Sequence, residues 1–188
     1  EMKAMMQESI IPKLCETFHP PVIHHTLIRT VGIGESFLAD KISEWEKSLP
    51  EHIRLAYLPG YGEVKLRLTA HGSDAQVLKT EANGFVEKIR SLAGEYIYAV
   101  GDEPLESVVG KILREKKLTL SAAESCTGGY LSHLLTSVPG SSDYFIGSVV
   151  AYSNEIKTQD LGIRNETLEQ HGAVSEASVR EMATQVRL

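Results

Sequence analysis

Ile53-Arg54-Leu55-Ala56-Tyr57-Leu58-Pro59-Gly60-Tyr61-Gly62-Glu63-Val64-Lys65-Leu66-Arg67-Leu68-Thr69-Ala70 places apolar residues at every second position on both sides of a turn. Ile53, Leu55 and Tyr57 alternate before Pro59-Gly60-Tyr61-Gly62. After it, Val64, Leu66, Leu68 and Ala70 alternate with Glu63, Lys65, Arg67 and Thr69. Successive side chains of a strand point to opposite faces, so this run predicts a hairpin with one buried and one wet face. Upstream, Leu38, Ile42, Trp45 and Leu49 form the stripe of a helix; downstream, Leu78, Ala82, Phe85, Ile89 and Leu92 form another. With a strand beginning at Val22 and one ending at Val100, the order is βαββαβ, the split-βαβ arrangement of small α+β domains. Residues 1 to 18 read as a helix with Met5, Met6, Ile10 and Leu14 on one side, ended by His19-Pro20-Pro21. That helix is expected to dock on a neighbour.

From Asp102 the pattern changes to α/β. Asp102 reads as a cap, Pro104 suits a first helical turn, and Leu105, Val108, Val109, Ile112 and Leu113 make an amphipathic helix. Leu118-Thr119-Leu120-Ser121-Ala122 reads as a strand, Tyr130 to Leu135 as a helix, and Phe145 to Tyr152 as a second strand. Ser153 caps a helix containing Lys157, and Ser175 caps a last one with Val179, Met182, Ala183 and Val186 on one face. That pattern runs to the end at Leu188, so the chain reads as a piece of a longer domain.

Two runs follow the two strands: Ala123-Glu124-Ser125-Cys126-Thr127-Gly128-Gly129 and Ala151-Tyr152-Ser153-Asn154-Glu155-Ile156-Lys157. Open α/β sheets bind ligands beyond such strand ends. Thr127-Gly128-Gly129 at a helix N-terminus offers unpaired N–H groups to a phosphate or an oxyanion. A serine beside a lysine is one pattern of nucleophilic catalysis, in which the lysine takes the hydroxyl proton. The plainer readings are an N-cap with a tight glycine turn, and a solvated surface lysine. Cys126 rivals Ser125 as nucleophile. Glu124 is either a general base or a loop-orienting group. The histidines, with His24 and His25 on opposite faces of a strand and no paired ligands elsewhere in the sequence, do not form a metal site.

These two runs, followed by Gln170-His171-Gly172-Ala173-Val174-Ser175, resemble the CinA family, and more specifically its C-terminal nicotinamide mononucleotide deamidase domain. Glu1-Met2-Lys3 resembles the end of the molybdopterin-cofactor-type domain that precedes this region in the family. The resemblance implies a linker helix over 1–20, a KH-like domain over 21–101, and over 102–188 the first part of an α/β deamidase domain, truncated before a glycine-rich loop that contributes to the site. It implies hydrolysis of the mononucleotide's carboxamide to the acid and ammonia. Ser125 is then the nucleophile, Lys157 the base, and Tyr152 a proton relay or an orienting group. Thr127, Gly128 and Gly129 donate to phosphate or oxyanion, and Glu124, Cys126, Asn154 and His171 join the substrate site. No metal or organic cofactor is implied. The truncated piece is expected to be inactive and to self-associate as a homo-oligomer.

The alternative is a scaffold or nucleic-acid-binding module linked to competence or DNA damage. Among 188 residues, 19 basic against 25 acidic side chains give a net charge of −6, and no two glycines stand three residues apart to form the GXXG clamp of true KH domains. Nucleic acid is therefore not an expected partner, and Lys65 and Arg67 read as a solvated strand face. Two distant cysteines make neither a disulfide framework nor a zinc site, and no run is long enough to span a membrane. A cytoplasmic protein acting on a small nucleotide is the expectation.

Overall fold

The computed structural model describes residues 2–187, and the chain divides into two compact units between Glu103 and Pro104. The first unit begins with helical turns: α1 (Met2–Met5), a π-helical turn (Met6–Ile10) and α2 (Ile11–Phe18). His19 closes them in a left-handed conformation (φ 44°), and Pro20-Pro21 bars any continuation. All of these residues except Ile10 are exposed, so the Met5–Leu14 stripe is uncovered.

Next come β1 (Val22–Val31), α3 (Glu35–Lys47), β2 (Ile53–Gly60), β3 (Glu63–Gly72), α4 (Ala75–Ala93) and β4 (Ile97–Val100). The strands form one antiparallel sheet in the order β2-β3-β1-β4. This is the βαββαβ fold that the alternation predicts. Val64, Leu66, Leu68 and Ala70 of β3 are buried with Leu38, Ile42 and Trp45 of α3. Trp45 Nε1 donates to Phe85 O at 3.1 Å, tying α3 to α4.

Three details differ from the sequence reading. Pro59 and Gly60 pair with Val64 and Glu63, so the turn is only Tyr61-Gly62, with Gly62 in the left-handed region (φ 72°). Pro59 is tolerated because β2 is an edge strand. The buried stripe of α4 is Leu78, Ala82, Val86, Ile89 and Ala93, with Phe85 only partly buried and Leu92 exposed. The sheet face away from the helices is not simply wet. There Arg29 Nε and Nη2 donate to the Glu63 carboxylate at 2.7 and 3.3 Å, and Tyr98 donates to it at 2.6 Å. Arg67 Nε is buried without a partner.

The second unit runs α5 (Leu105–Glu115), β5 (Leu120–Glu124), α6 (Tyr130–Thr136), a 3-10 turn (Ser141–Asp143), β6 (Phe145–Val150), α7 (Asn154–Gln159), α8 (Asn165–His171) and α9 (Glu176–Gln185). Pro104, not Asp102, stands at the N-cap of α5. Strand β5 starts two residues later than the apolar run suggests and takes in Ala123 and Glu124, because Leu120 to Glu124 pair in parallel with Phe145 to Val150. Ala151, Leu161, Ile163, Met182 and Val186 form the core. On α9 the inward positions are Ser178 and Met182, and Val186, just past the helix end at Gln185, is buried with them, while Val179 and Ala183 are exposed; Leu188 lies outside the described residues. Among the described residues no helix is long and apolar enough to cross a membrane.

Candidate functional site

The parallel pairing of Glu124 with Val150 makes β5 and β6 end side by side. Ser125 and the Ala151–Ser153 segment therefore leave the sheet at the same edge. One further ladder bond, from Ala151 N to Glu124 O at 2.8 Å, holds the two exits together. After β5 the chain reverses through Gly128 (φ 59°) and Gly129 (φ 97°), consecutive left-handed positions that side-chain-bearing residues avoid. After β6, Ser153 accepts from Ile156 N at 3.2 Å and starts α7, as its sequence position predicts.

Lys157, on α7, is 2% exposed. Its ammonium donates to Ala151 O at 2.8 Å, Tyr152 O at 3.0 Å and Ser125 Oγ at 3.1 Å. All three partners are neutral oxygens. Two main-chain carbonyls aim the third direction of the nitrogen at the serine hydroxyl.

Glu124 is buried, and its carboxylate is fully engaged within the chain. Oε2 accepts from Thr127 Oγ1 at 2.7 Å and Leu131 N at 3.0 Å; Oε1 accepts from Ser132 N at 2.9 Å and from Ser132 Oγ. Burial pushes this carboxyl up, but the bonds from Ser132, Thr127 and the amides of Ser132 and Leu131 outweigh it and hold it at about 2. The first turn of α6 thus already carries an anion. This corrects two expectations: Glu124 has no lone pair left for a substrate, and α6 does not present its leading amides to a phosphate. Thr127's hydroxyl and Gly128's amide are spent as well, the latter on Ser125 O at 3.0 Å. The amides of Cys126, Thr127 and Gly129 carry no hydrogen bond to another described residue.

Tyr152 meets Lys157 through its carbonyl, and the residue is 73% exposed. Cys126 is an exposed free thiol beside Ser125. Asn154 lies at the start of α7 beside a hollow of about 300 Å³ shared with Thr158, Asn165 and Glu169. His171 lines another, of about 530 Å³, with Arg164, Thr167, Arg180 and Glu181. Ser132 and the carbonyl of Ala151 also belong to the site, and the sequence carries no signal for either. Ser132 lies seven residues after Ser125 on a helical run, and a carbonyl has no side-chain signature. Among the described residues no three His, Cys, Asp or Glu side chains converge as metal ligands.

Residues 102–188 match the family described as CinA C-terminal domain, and residues 25–99 the one described as Damage-inducible protein CinA KH domain. The chain belongs to the CinA family. A CinA-like protein from Flavobacterium psychrophilum is 48% identical over 188 residues, which is 100% of this chain and 45% of that protein. One from Cytophaga hutchinsonii is 46% identical over 187 residues, again 100% of this chain and 45% of the relative. This CinA-family chain thus spans less than half the length of these relatives. Among solved structures, the competence damage-inducible protein A (ComA) from Klebsiella pneumoniae subsp. pneumoniae shares 39% identity, covering 44% of this chain and 51% of that one with a TM-score of 0.43.

Proposed function

We propose that the second unit, in the complete protein, hydrolyses the carboxamide of nicotinamide mononucleotide to the carboxylic acid with release of ammonia. One observation carries the reading. Lys157 Nζ, buried and held by two main-chain carbonyls, lies 3.1 Å from Ser125 Oγ. Once the ammonium has given one proton to solvent, the lysine amine keeps two N–H bonds and one lone pair. With the N–H bonds on Ala151 O and Tyr152 O, the lone pair faces the serine O–H, the arrangement a general base requires. The likeness of the three motifs to the family's deamidase domain supplies the substrate.

In this reading Ser125 Oγ attacks the carboxamide carbon as its proton passes to Lys157 Nζ. The oxyanion that forms is met by the unpaired amides of the Cys126–Gly129 turn. The C–N bond then breaks, Lys157 returns the proton to the departing nitrogen, and ammonia leaves an ester on Ser125. Water, deprotonated by Lys157, hydrolyses that ester and restores the serine hydroxyl.

The test is ammonia release from the mononucleotide by the full-length protein. Ser125→Ala is expected to abolish turnover while leaving ligand binding within a few-fold of the parent, since the hydroxyl is asked for chemistry and not for affinity. Cys126→Ser is expected to keep turnover. Parental turnover by the alanine variant overturns the reading.

A further inference from the structure

We infer that Glu124 is a positioning residue that holds both halves of the Ser125–Lys157 pair in register through two sets of hydrogen bonds. The inference rests on the proposed roles of Ser125 and Lys157. On one side, the carboxylate gathers the turn that follows Ser125. It accepts from Thr127 Oγ1, Leu131 N, Ser132 N and Ser132 Oγ, donors on both flanks of the glycine pair. On the other side, the main-chain oxygen of the same residue accepts from Ala151 N at 2.8 Å, and Ala151 O in turn accepts from Lys157 Nζ at 2.8 Å. Ser125 is the next residue in the chain. A continuous path therefore leads from the nucleophile's own backbone, through Glu124 and Ala151, to the nitrogen of the base.

The carboxylate is suited to this and to nothing else in the reaction. It offers about four lone-pair sites, and four donors fill them. Among the described residues it pairs with no cation; neutral donors and the first amides of α6 satisfy it, and such charge-assisted bonds are the stronger kind. The turn it holds contains two left-handed glycines and is closed within itself by Gly128 N to Ser125 O and Tyr130 N to Thr127 O, both 3.0 Å; the carboxylate adds the bonds that tie residues 125 to 129 to the first turn of α6. Glu124 thus sets where Ser125 Oγ stands relative to Lys157 Nζ, while its own carboxylate bonds go to neither of these atoms.

Glu124→Gln tests this with the shape nearly unchanged. A carboxamide has one acceptor oxygen where the carboxylate has two. Thr127 and Ser132 hydroxyls can rotate to accept, but the amide of Leu131 or of Ser132 must then face an NH2 group. In the full-length protein the expected result is a fall in kcat of roughly 100-fold, the size of effect that a misplacement of about 1 Å produces, with KM changed by less than about threefold. The pH–rate profile keeps its shape, because Glu124 does not exchange protons in the cycle. Thr127→Val and Ser132→Ala each remove donors while keeping the carboxylate, and are expected to lower kcat by smaller factors, again at constant KM. They decide the matter if the glutamine variant does not fold.

A folded Glu124→Gln protein with parental kcat overturns the inference, as does a rise in KM at constant kcat, which marks a substrate ligand. Loss of a limb of the pH profile marks a proton-transfer group and overturns it equally. If Thr127→Val and Ser132→Ala both keep parental kcat, the turn does not depend on Glu124 and the inference falls. Ser125→Ala run alongside separates the levels. An inactive Ser125→Ala with an unaffected Glu124 series removes this inference alone, whereas an active Ser125→Ala removes the reacting pair and the inference with it.

Discussion

Lys157 Nζ stands 3.1 Å from Ser125 Oγ across 32 residues of sequence. Neither residue's own element sets this distance. Strands β5 and β6 run parallel, Glu124 lies opposite Val150, and the bond from Ala151 N to Glu124 O carries the ladder one step past both strands. From there the exit of β5 delivers Ser125 at once, and the exit of β6 delivers Lys157 after a single capped turn. A one-residue slip in the strand register would turn every side chain to the opposite face. The pair therefore depends on the sheet pairing as much as on the two residues.

Replacing Lys157 separates a proton acceptor from a fixed charge. Lys157→Met keeps most of the volume but leaves the carbonyls of Ala151 and Tyr152 without their donor. Each lost partner costs about 1–3 kcal/mol of stability. Turnover is expected to fall by at least about 100-fold, the usual reach of a general base. Lys157→Arg keeps the charge, but a guanidinium does not accept the serine proton, so no rescue is expected. Ammonia release and urea unfolding measure the two effects. Substantial turnover by the arginine variant would show that Lys157 supplies only positive charge.

Tyr152 is expected to behave as a backbone contributor. Its carbonyl lies 3.0 Å from Lys157 Nζ while its ring is largely exposed. Tyr152→Phe should leave kcat within about twofold and stability within about 0.5 kcal/mol, as for other surface changes. A tenfold loss of kcat in steady-state kinetics would mean that the phenol takes part in the chemistry.

Much of this was legible because it rests on side-chain periodicity. The alternation from Ile53 to Ala70 gives the hairpin, since every second residue of β3 must enter the core. The α4 stripe is less legible: Phe85 and Leu92 are more apolar than Val86 and Ala93, yet the small residues take the tightly packed positions. Glu124 looked like a loop residue because a carboxylate ordinarily leaves a strand. Its burial depends on four donors supplied after the turn, and nothing in a one-dimensional pattern shows where Leu131 and Ser132 will point. The serine and lysine were visible as chemistry-bearing residues in quoted motifs. The carbonyls that orient the lysine were not, because main-chain groups are the same at every position.

Gly110 is a packing position that the apolar stripe of α5 conceals. A Cβ there would lie 2.6 Å from Tyr144 Oη and 2.9 Å from its Cζ, and that ring is fully buried. Alanine is ordinarily the better helix former. Here the clash outweighs that gain, and Gly110→Ala is expected to lower stability by about 1–3 kcal/mol, the range for overpacked cores. Chemical unfolding of the chain gives the answer. A stabilised variant would mean that α5 moves away from Tyr144 at little cost.

The buried carboxylate of Glu124 makes a last prediction, about acid. Its carboxyl is held at about 2 against an ordinary 4.5. A folded-state value below the unfolded one means that the unfolded chain binds the extra proton, so this group's stabilisation is complete above about pH 4.5 and declines as pH falls toward 2. The protonated group also carries an O–H, which the Thr127 or Ser132 hydroxyl can accept only by giving up its own donation to the carboxylate. In Glu124→Gln this titration is absent. The difference in unfolding free energy between parent and variant is therefore expected to be constant above about pH 5 and to shrink between pH 4.5 and 2. Glu63 and Glu181, also held below their ordinary values, titrate in both proteins and cancel from the difference. Urea unfolding of the two proteins, followed by circular dichroism at steps of pH, supplies both curves. If they stay parallel down to pH 2, the Glu124 carboxylate is not held by these bonds in solution.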